Sequence, residues 1–223
     1  MTLKEAMKRL AAMGEARVRP LGVREGVGGD LVGVKLGDIR KLAKDAGSDH
    51  ALGLELWASR DPKARLLAVL VLKPKALSAA ELDAMVRDNR VLQIADWLSS
   101  YAVKAHPGKE ALRQAWMADD DAMTARAGWS LTAERVGKNG AGLDLTALLD
   151  RIEAEMAGAD PVPRWTMKMA LAMIGIHHRE HRARALAIGE RLGVYRDFPV
   201  SPGCTSPFAP EWIGAMARRE GAS

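Results

Sequence analysis

Three stretches of this chain open in the same way, and each opening favours a helix. Asp61-Pro62 precedes Arg65 and the apolar run Leu66-Leu67-Ala68-Val69-Leu70. Asp119-Asp120-Asp121 precedes Arg126 and Ala127-Gly128-Trp129-Ser130-Leu131. Asp160-Pro161 precedes Arg164, Trp165, Lys168 and the run from Met169 to Ile174. An aspartate at a helix start accepts hydrogen bonds from otherwise unpaired N–H groups, and a proline in the first turn gives up only an N–H that had no partner. In each stretch a basic residue follows the acidic cap within about a turn and a half of helix. Repeated helix pairs would set those cations along one surface, and such a surface suits a long anionic ligand.

The rest of the chain has the same texture. Residues 2–17 place Leu3, Ala6, Met7, Leu10 and Met13 at helical spacing. Further helices are expected over 36–45, 49–58, 61–72, 79–87, 91–105, 108–117, 121–138, 143–157, 161–177, 180–193 and 208–219. Gly47-Ser48, Pro74, Ser78, Pro107, Gly140, Gly142, Pro161 and Pro163 supply the interruptions and caps. No strict period-2 run bounded by turns occurs, so no strands are expected. The openings near 121 and 160 are separated by roughly the period of HEAT-type helix pairs, which stack so that each covers its neighbour's apolar face. The expected fold is therefore all-α, a right-handed solenoid of HEAT-like antiparallel helix pairs with a concave basic face. It is read as one domain over residues 1–223, with a Gly-rich loop at 18–34 and a Pro/Gly-rich loop at 194–208 before the last helix. That second loop carries both phenylalanines of the chain, Phe198 and Phe208, and one of its two tyrosines, Tyr195. A loop so apolar either covers the end of the stack or shapes a ligand cleft.

Charge is uneven along the chain. The net charge is +5, yet residues 118–160 carry 9 acidic against 4 basic groups, Arg126 among them. Basicity of this degree favours a nucleic-acid partner only weakly. No apolar run approaches the roughly 20 residues that cross a bilayer, so no membrane association is expected. The polar, amphipathic opening from Met1 to Arg17 and the single Cys204 point to a reducing, cytoplasmic setting. No cofactor is expected, and the protein is read as a monomer.

Among residues able to carry chemistry, Asp96 stands out, set in the largely apolar Val91-Leu92-Gln93-Ile94-Ala95-Asp96-Trp97-Leu98. Gln93 and Ser100 share its helix stripe. A carboxylate among apolar groups needs a partner, and Arg126 is a candidate. Such a carboxylate stabilises a developing cation or orients a water, or else serves as a structural tie between helix pairs. Gly26-Val27-Gly28-Gly29-Asp30 lacks the Gly-Lys-Ser/Thr of a phosphate-binding loop. His177, His178 and His181 read His-His-Arg-Glu-His without the glutamate of a zinc-protease helix, so no metal is expected. They read instead as a basic helix end contacting carbonyls or phosphate. Cys204 has no paired cysteine and is read as a packed thiol.

The runs Gly33–Lys44, Leu56-Trp57, Ala64–Ala68 and Trp165–Leu171 resemble the DNA alkylation repair enzymes, glycosylases built of HEAT-like repeats. The resemblance covers most of the chain. It implies duplex DNA held on a basic surface and release of N3- or N7-alkylated purines, with a carboxylate stabilising the sugar cation. On that pattern the catalytic carboxylate corresponds to Asp96 and the phosphate-gripping arginine to Arg126. Arg65, Arg164 and Lys168 are further DNA-binding candidates, and Trp129 and Trp97 are candidate aromatic contacts. The family's aromatic pair upstream of the carboxylate falls on Val91 and Leu92, and a further tryptophan falls on about Ala172. Those departures remove cation–π stabilisation on the order of 1–2 kcal/mol per contact. They leave a second reading open, a non-catalytic solenoid that binds nucleic acid or a protein partner.

Overall fold

The computed structural model describes residues 1–13, 33–201 and 203–221. The glycine run at 26–30 and most of the expected 18–34 loop lie outside them. The described residues form twelve α-helices and two short 3-10 turns, with no strand among them. The helices are α1 (Leu3–Ala11), α2 (Leu36–Ala46), α3 (His50–Ala58), α4 (Pro62–Val71), α5 (Ala79–Asp88) and α6 (Leu92–Tyr101). Then follow α7 (Lys109–Trp116), α8 (Ala122–Lys138), α9 (Leu145–Glu155), α10 (Pro161–His177), α11 (Arg179–Leu192) and α12 (Ala209–Gly221). Two helices end short of the expected boundaries: that of 2–17 stops at Ala11, with 14–17 outside the described residues, and the other lies at 91–105. There the α-helix stops at Tyr101 and a 3-10 turn carries Val103–Ala105.

The three repeated openings are the N-caps of α4, α8 and α10. The side chain of Asp61 accepts from the Ala64 N–H at 2.8 Å, that of Asp121 from Thr124 at 3.0 Å, and that of Asp160 from Val162 at 2.8 Å. Asp49 and Asp144 cap α3 and α9 in the same manner, and Ser78 with Glu81 forms a reciprocal capping box on α5.

The chain divides into two compact units, Met1–Leu112 and Arg113–Ser223. In the first, α4 is the hub and packs against α1, α2, α3 and α6. It is buried on nearly all sides, with Leu66, Leu67, Ala68 and Val71 fully shielded. In the second unit α10 is the hub, packed along α8 and against α9, α11 and α12. The α8 helix also closes tightly on the end of α7. A Cβ added at Gly128 would sit 2.8 Å from the Trp116 and Met117 backbone, so only glycine admits this approach. Helices that are apolar nearly all round belong in a core. The openings singled out in the sequence therefore mark the two central helices, α4 and α10, and the principal partner of α10.

Candidate functional site

Burial of α4, α8 and α10 decides where their cations go. Arg65, Arg126 and Lys168 are respectively 7%, 5% and 2% exposed. They do not form a solvated stripe.

Arg65 is committed to its own unit. Its Nε donates to the Trp57 carbonyl at 3.4 Å, its Nη1 to the Asp88 carbonyl at 3.3 Å, and its Nη2 pairs with the Asp88 carboxylate. Its guanidinium lies 4.6 Å from the centre of the Trp57 ring. These donors tie α4 to the ends of α3 and α5 within the unit.

In the second unit, Arg126 on α8 donates from Nη1 to the Val162 carbonyl at 3.0 Å. Arg164, half-buried on α10, turns Nε and Nη2 onto the Ala159 carbonyl. Lys168, one turn further along α10, has no carboxylate partner and no hydrogen bond among the described residues. Its Nζ faces rings instead: 3.9 Å to the Trp165 ring centre, 5.1 Å to Trp212 and 6.0 Å to Tyr195. Trp165, Tyr195 and Phe198 pack mutually, with ring centres 5.3 to 6.0 Å apart. Lys168 lines a cavity of about 480 Å³ with Trp165, Met169, Phe198, Pro207 and Trp212. Burial, and secondarily the Arg126 charge, push the Lys168 ammonium down from the ordinary 10.5 to about 7.

The loop after α11 thus shapes a cleft, the second of the two roles its composition allowed. It leaves α11 at Gly193 and turns at Tyr195, both in the left-handed region at φ 63°. Tyr195 and Phe208 are buried, and Cys204 is exposed rather than packed. Trp212 has no sequence signal for this role, because nothing local to α12 tells that its ring reaches Lys168 of α10.

Asp96 lies on α6 in the first unit and is exposed, with Gln93 half-buried and Ser100 exposed on the same helix. The desolvation expected for this carboxylate is absent, because α6 buries Leu92, Ile94, Trp97 and Leu98 and turns Asp96 to the solvent. Trp97 is 7% exposed, covered by the Arg40 guanidinium at 4.7 Å and by the edge of Tyr101. Trp129 is 2% exposed, with Arg151 over its ring at 5.2 Å. Both rings are packed in the cores of their own units. The histidines do not share a helix as spaced. The α10 helix ends at His177 and α11 starts at Arg179, so His177 and His181 fall on different helices. His178 Nε2 instead meets the Val136 carbonyl at 3.2 Å. Among the described residues no three His, Cys, Asp or Glu side chains converge as a metal site. No helix among them is long and apolar enough to cross a membrane.

Packed helix pairs of this kind, with no strand among the described residues, define an all-α protein of the HEAT-like repeat class. A solved structure with this fold superposes with a TM-score of 0.78 at 20% identity, over 99% of this chain and 95% of the other. That structure is described as a new family of proteins related to the HEAT-like repeat DNA glycosylases, with affinity for branched DNA structures. The family model of the DNA alkylation repair enzymes matches residues 3–207, and the chain belongs to that family. No functionally curated protein matches the sequence.

Proposed function

We propose that the protein binds DNA through its phosphate backbone and excises N3- or N7-alkylated purines. The observation that carries this reading is the family match over residues 3–207, joined to an exposed carboxylate, Asp96, which the resemblance to that family matches to its catalytic one. Arg164, half-buried at the start of α10, holds its guanidinium on the Ala159 carbonyl, which fixes its direction, and Arg126 is buried beneath the surface on the Val162 carbonyl. A cation held in one direction grips phosphate at low entropic cost. As the alkylated base departs, positive charge develops on the deoxyribose. A carboxylate beside that sugar stabilises it without transferring a proton.

Two measurements test the reading. Affinity for duplex DNA is expected to fall by about 0.9 log units per log unit of salt for each phosphate neutralised. Arg164→Gln should reduce that slope by about one and weaken binding evenly across sequences. Binding that is weak and indifferent to salt contradicts the proposal. For catalysis, release of 7-methylguanine or 3-methyladenine from methylated DNA should fall on the order of 100-fold in Asp96→Asn, as when one electrostatic stabiliser is removed. Equal release by both proteins removes Asp96 from the chemistry.

The second reading, binding without excision, is favoured by one particular observation. The family's aromatic positions fall on Val91, Leu92 and Ala172, and Leu92 and Ala172 are buried at 9% and 0% exposure. Salt-dependent binding with no base release by wild-type protein would establish it.

A further inference from the structure

Lys168 is the least usual residue of the second unit. An amine 2% exposed ordinarily sits on a carboxylate or on backbone carbonyls. Here the described residues offer it three aromatic rings and the like charge of Arg126. Its side chain nevertheless forms part of the wall of a cavity of about 480 Å³, room for a sugar-sized molecule. The other lining groups are apolar or weakly polar: Trp165, Phe198, Pro207 and Trp212, with the hydroxyls of Thr205 and Ser206. A lysine desolvated in an apolar pocket beside another cation is the arrangement that activates an amine as a nucleophile toward carbonyl carbon.

We propose that Lys168 condenses with an aldehyde admitted to this cavity, forming an imine. The Lys168 nitrogen attacks the aldehyde carbon and a C–N bond forms. The C–O bond then breaks and the oxygen leaves as water with the two hydrogens of the attacking neutral amine, so that nothing is oxidised or reduced. The apolar walls favour this outcome, because dehydration is opposed by bulk water and a neutral amine is required for attack. Burial and Arg126, which bring the group to about 7, supply that neutral amine near pH 7. The ring-opened deoxyribose of an abasic DNA site and a free small aldehyde present the same reacting group. The first source rests on the DNA-binding reading, and the second does not.

The experiment incubates the full chain with two probes in parallel, a duplex oligonucleotide bearing one abasic deoxyribose and free glycolaldehyde. Each is reduced with borohydride, and the modified lysines are mapped by peptide mass spectrometry. At pH 7 the Lys168 adduct is expected to form on the order of 1000-fold faster than adducts at exposed lysines, from the difference in neutral amine. Lys168→Met should lose the adduct while keeping its helical circular dichroism. The wild-type map does not depend on that variant folding. Adduct from the abasic duplex identifies the DNA sugar as source, and adduct at Lys168 from glycolaldehyde alone identifies a free aldehyde; either supports the site. Modification of other lysines with Lys168 spared, from both probes, overturns it. Binding of intact duplex is measured alongside. Binding retained with Lys168 unmodified sinks this inference alone, and binding absent with Lys168 modified sinks the DNA reading alone.

Discussion

Replacing Lys168 with methionine should raise the thermal unfolding midpoint at pH 6, and the gain should disappear near pH 10.5. The folded ammonium is pushed down from 10.5 to about 7, so the folded state releases its proton before the unfolded state does. Below about pH 7 both states hold the proton, and the folded protein carries the whole cost of a buried charge. Between about 7 and 10.5 only the unfolded state holds it, so stability rises with pH, by about 1.4 kcal/mol per unit. Above that window both are neutral and the cost is gone. The rings of Trp165, Trp212 and Tyr195 offset part of it, on the order of 1–2 kcal/mol. The shift from 10.5 to about 7 corresponds to about 5 kcal/mol, so the net gain for Lys168→Met at pH 6 is roughly 3–4 kcal/mol, or about 6–16 °C for a chain of this size. A lower midpoint in the variant at pH 6, or a gain unchanged at pH 10.5, would contradict this electrostatic account. A residue kept at such a cost is a candidate for function, which is why its chemistry merits a direct test.

The opposite result is expected at Arg65. Arg65→Ala should destabilise the first unit by about 2–4 kcal/mol, measured by urea unfolding at neutral pH. The substitution strips partners from the Trp57 and Asp88 carbonyls, uncovers the Trp57 ring and leaves a space inside α4. The Asp88 carboxylate is 42% exposed, so water takes over part of its solvation and the loss stays short of that for a fully buried pair. Since Arg65 spends its donors inside the unit, the folded variant should keep the salt slope of DNA binding. A change of about one in that slope would return Arg65 to the interface.

These two cations show how far local pattern reached. The helices themselves were legible because their signals are local. An aspartate three residues before an N–H, a proline in the first turn and apolar residues at three- and four-residue spacing act within one or two turns. Hence α4, α8 and α10 begin where their sequences say. The break after Tyr101 has no local signal, because Ala102 and Val103 are as apolar as the helix before them. The apolar neighbours of Asp96 along the chain imply a buried carboxylate. The actual α6 is amphipathic and sends that carboxylate outward while Ile94, Trp97 and Leu98 go inward. The family pattern at Leu56-Trp57 and Ala64–Ala68 was likewise visible as sequence. Its meaning, a tryptophan stacked on an arginine between two helices, was not.

What the sequence by itself determined is the all-α class, the helix starts and the membership of a repair family, all carried by short-range caps, periodicity and core pattern. Only the tertiary structure decided what the basic residues do. Arg65 meets Asp88 across 23 residues, and Lys168 is enclosed by rings from α10, from the loop after α11 and from α12. Spacing along a helix sets which face a cation occupies. Whether that face meets water, a carboxylate or an aromatic wall depends on which distant segment packs there, and no local propensity encodes that approach.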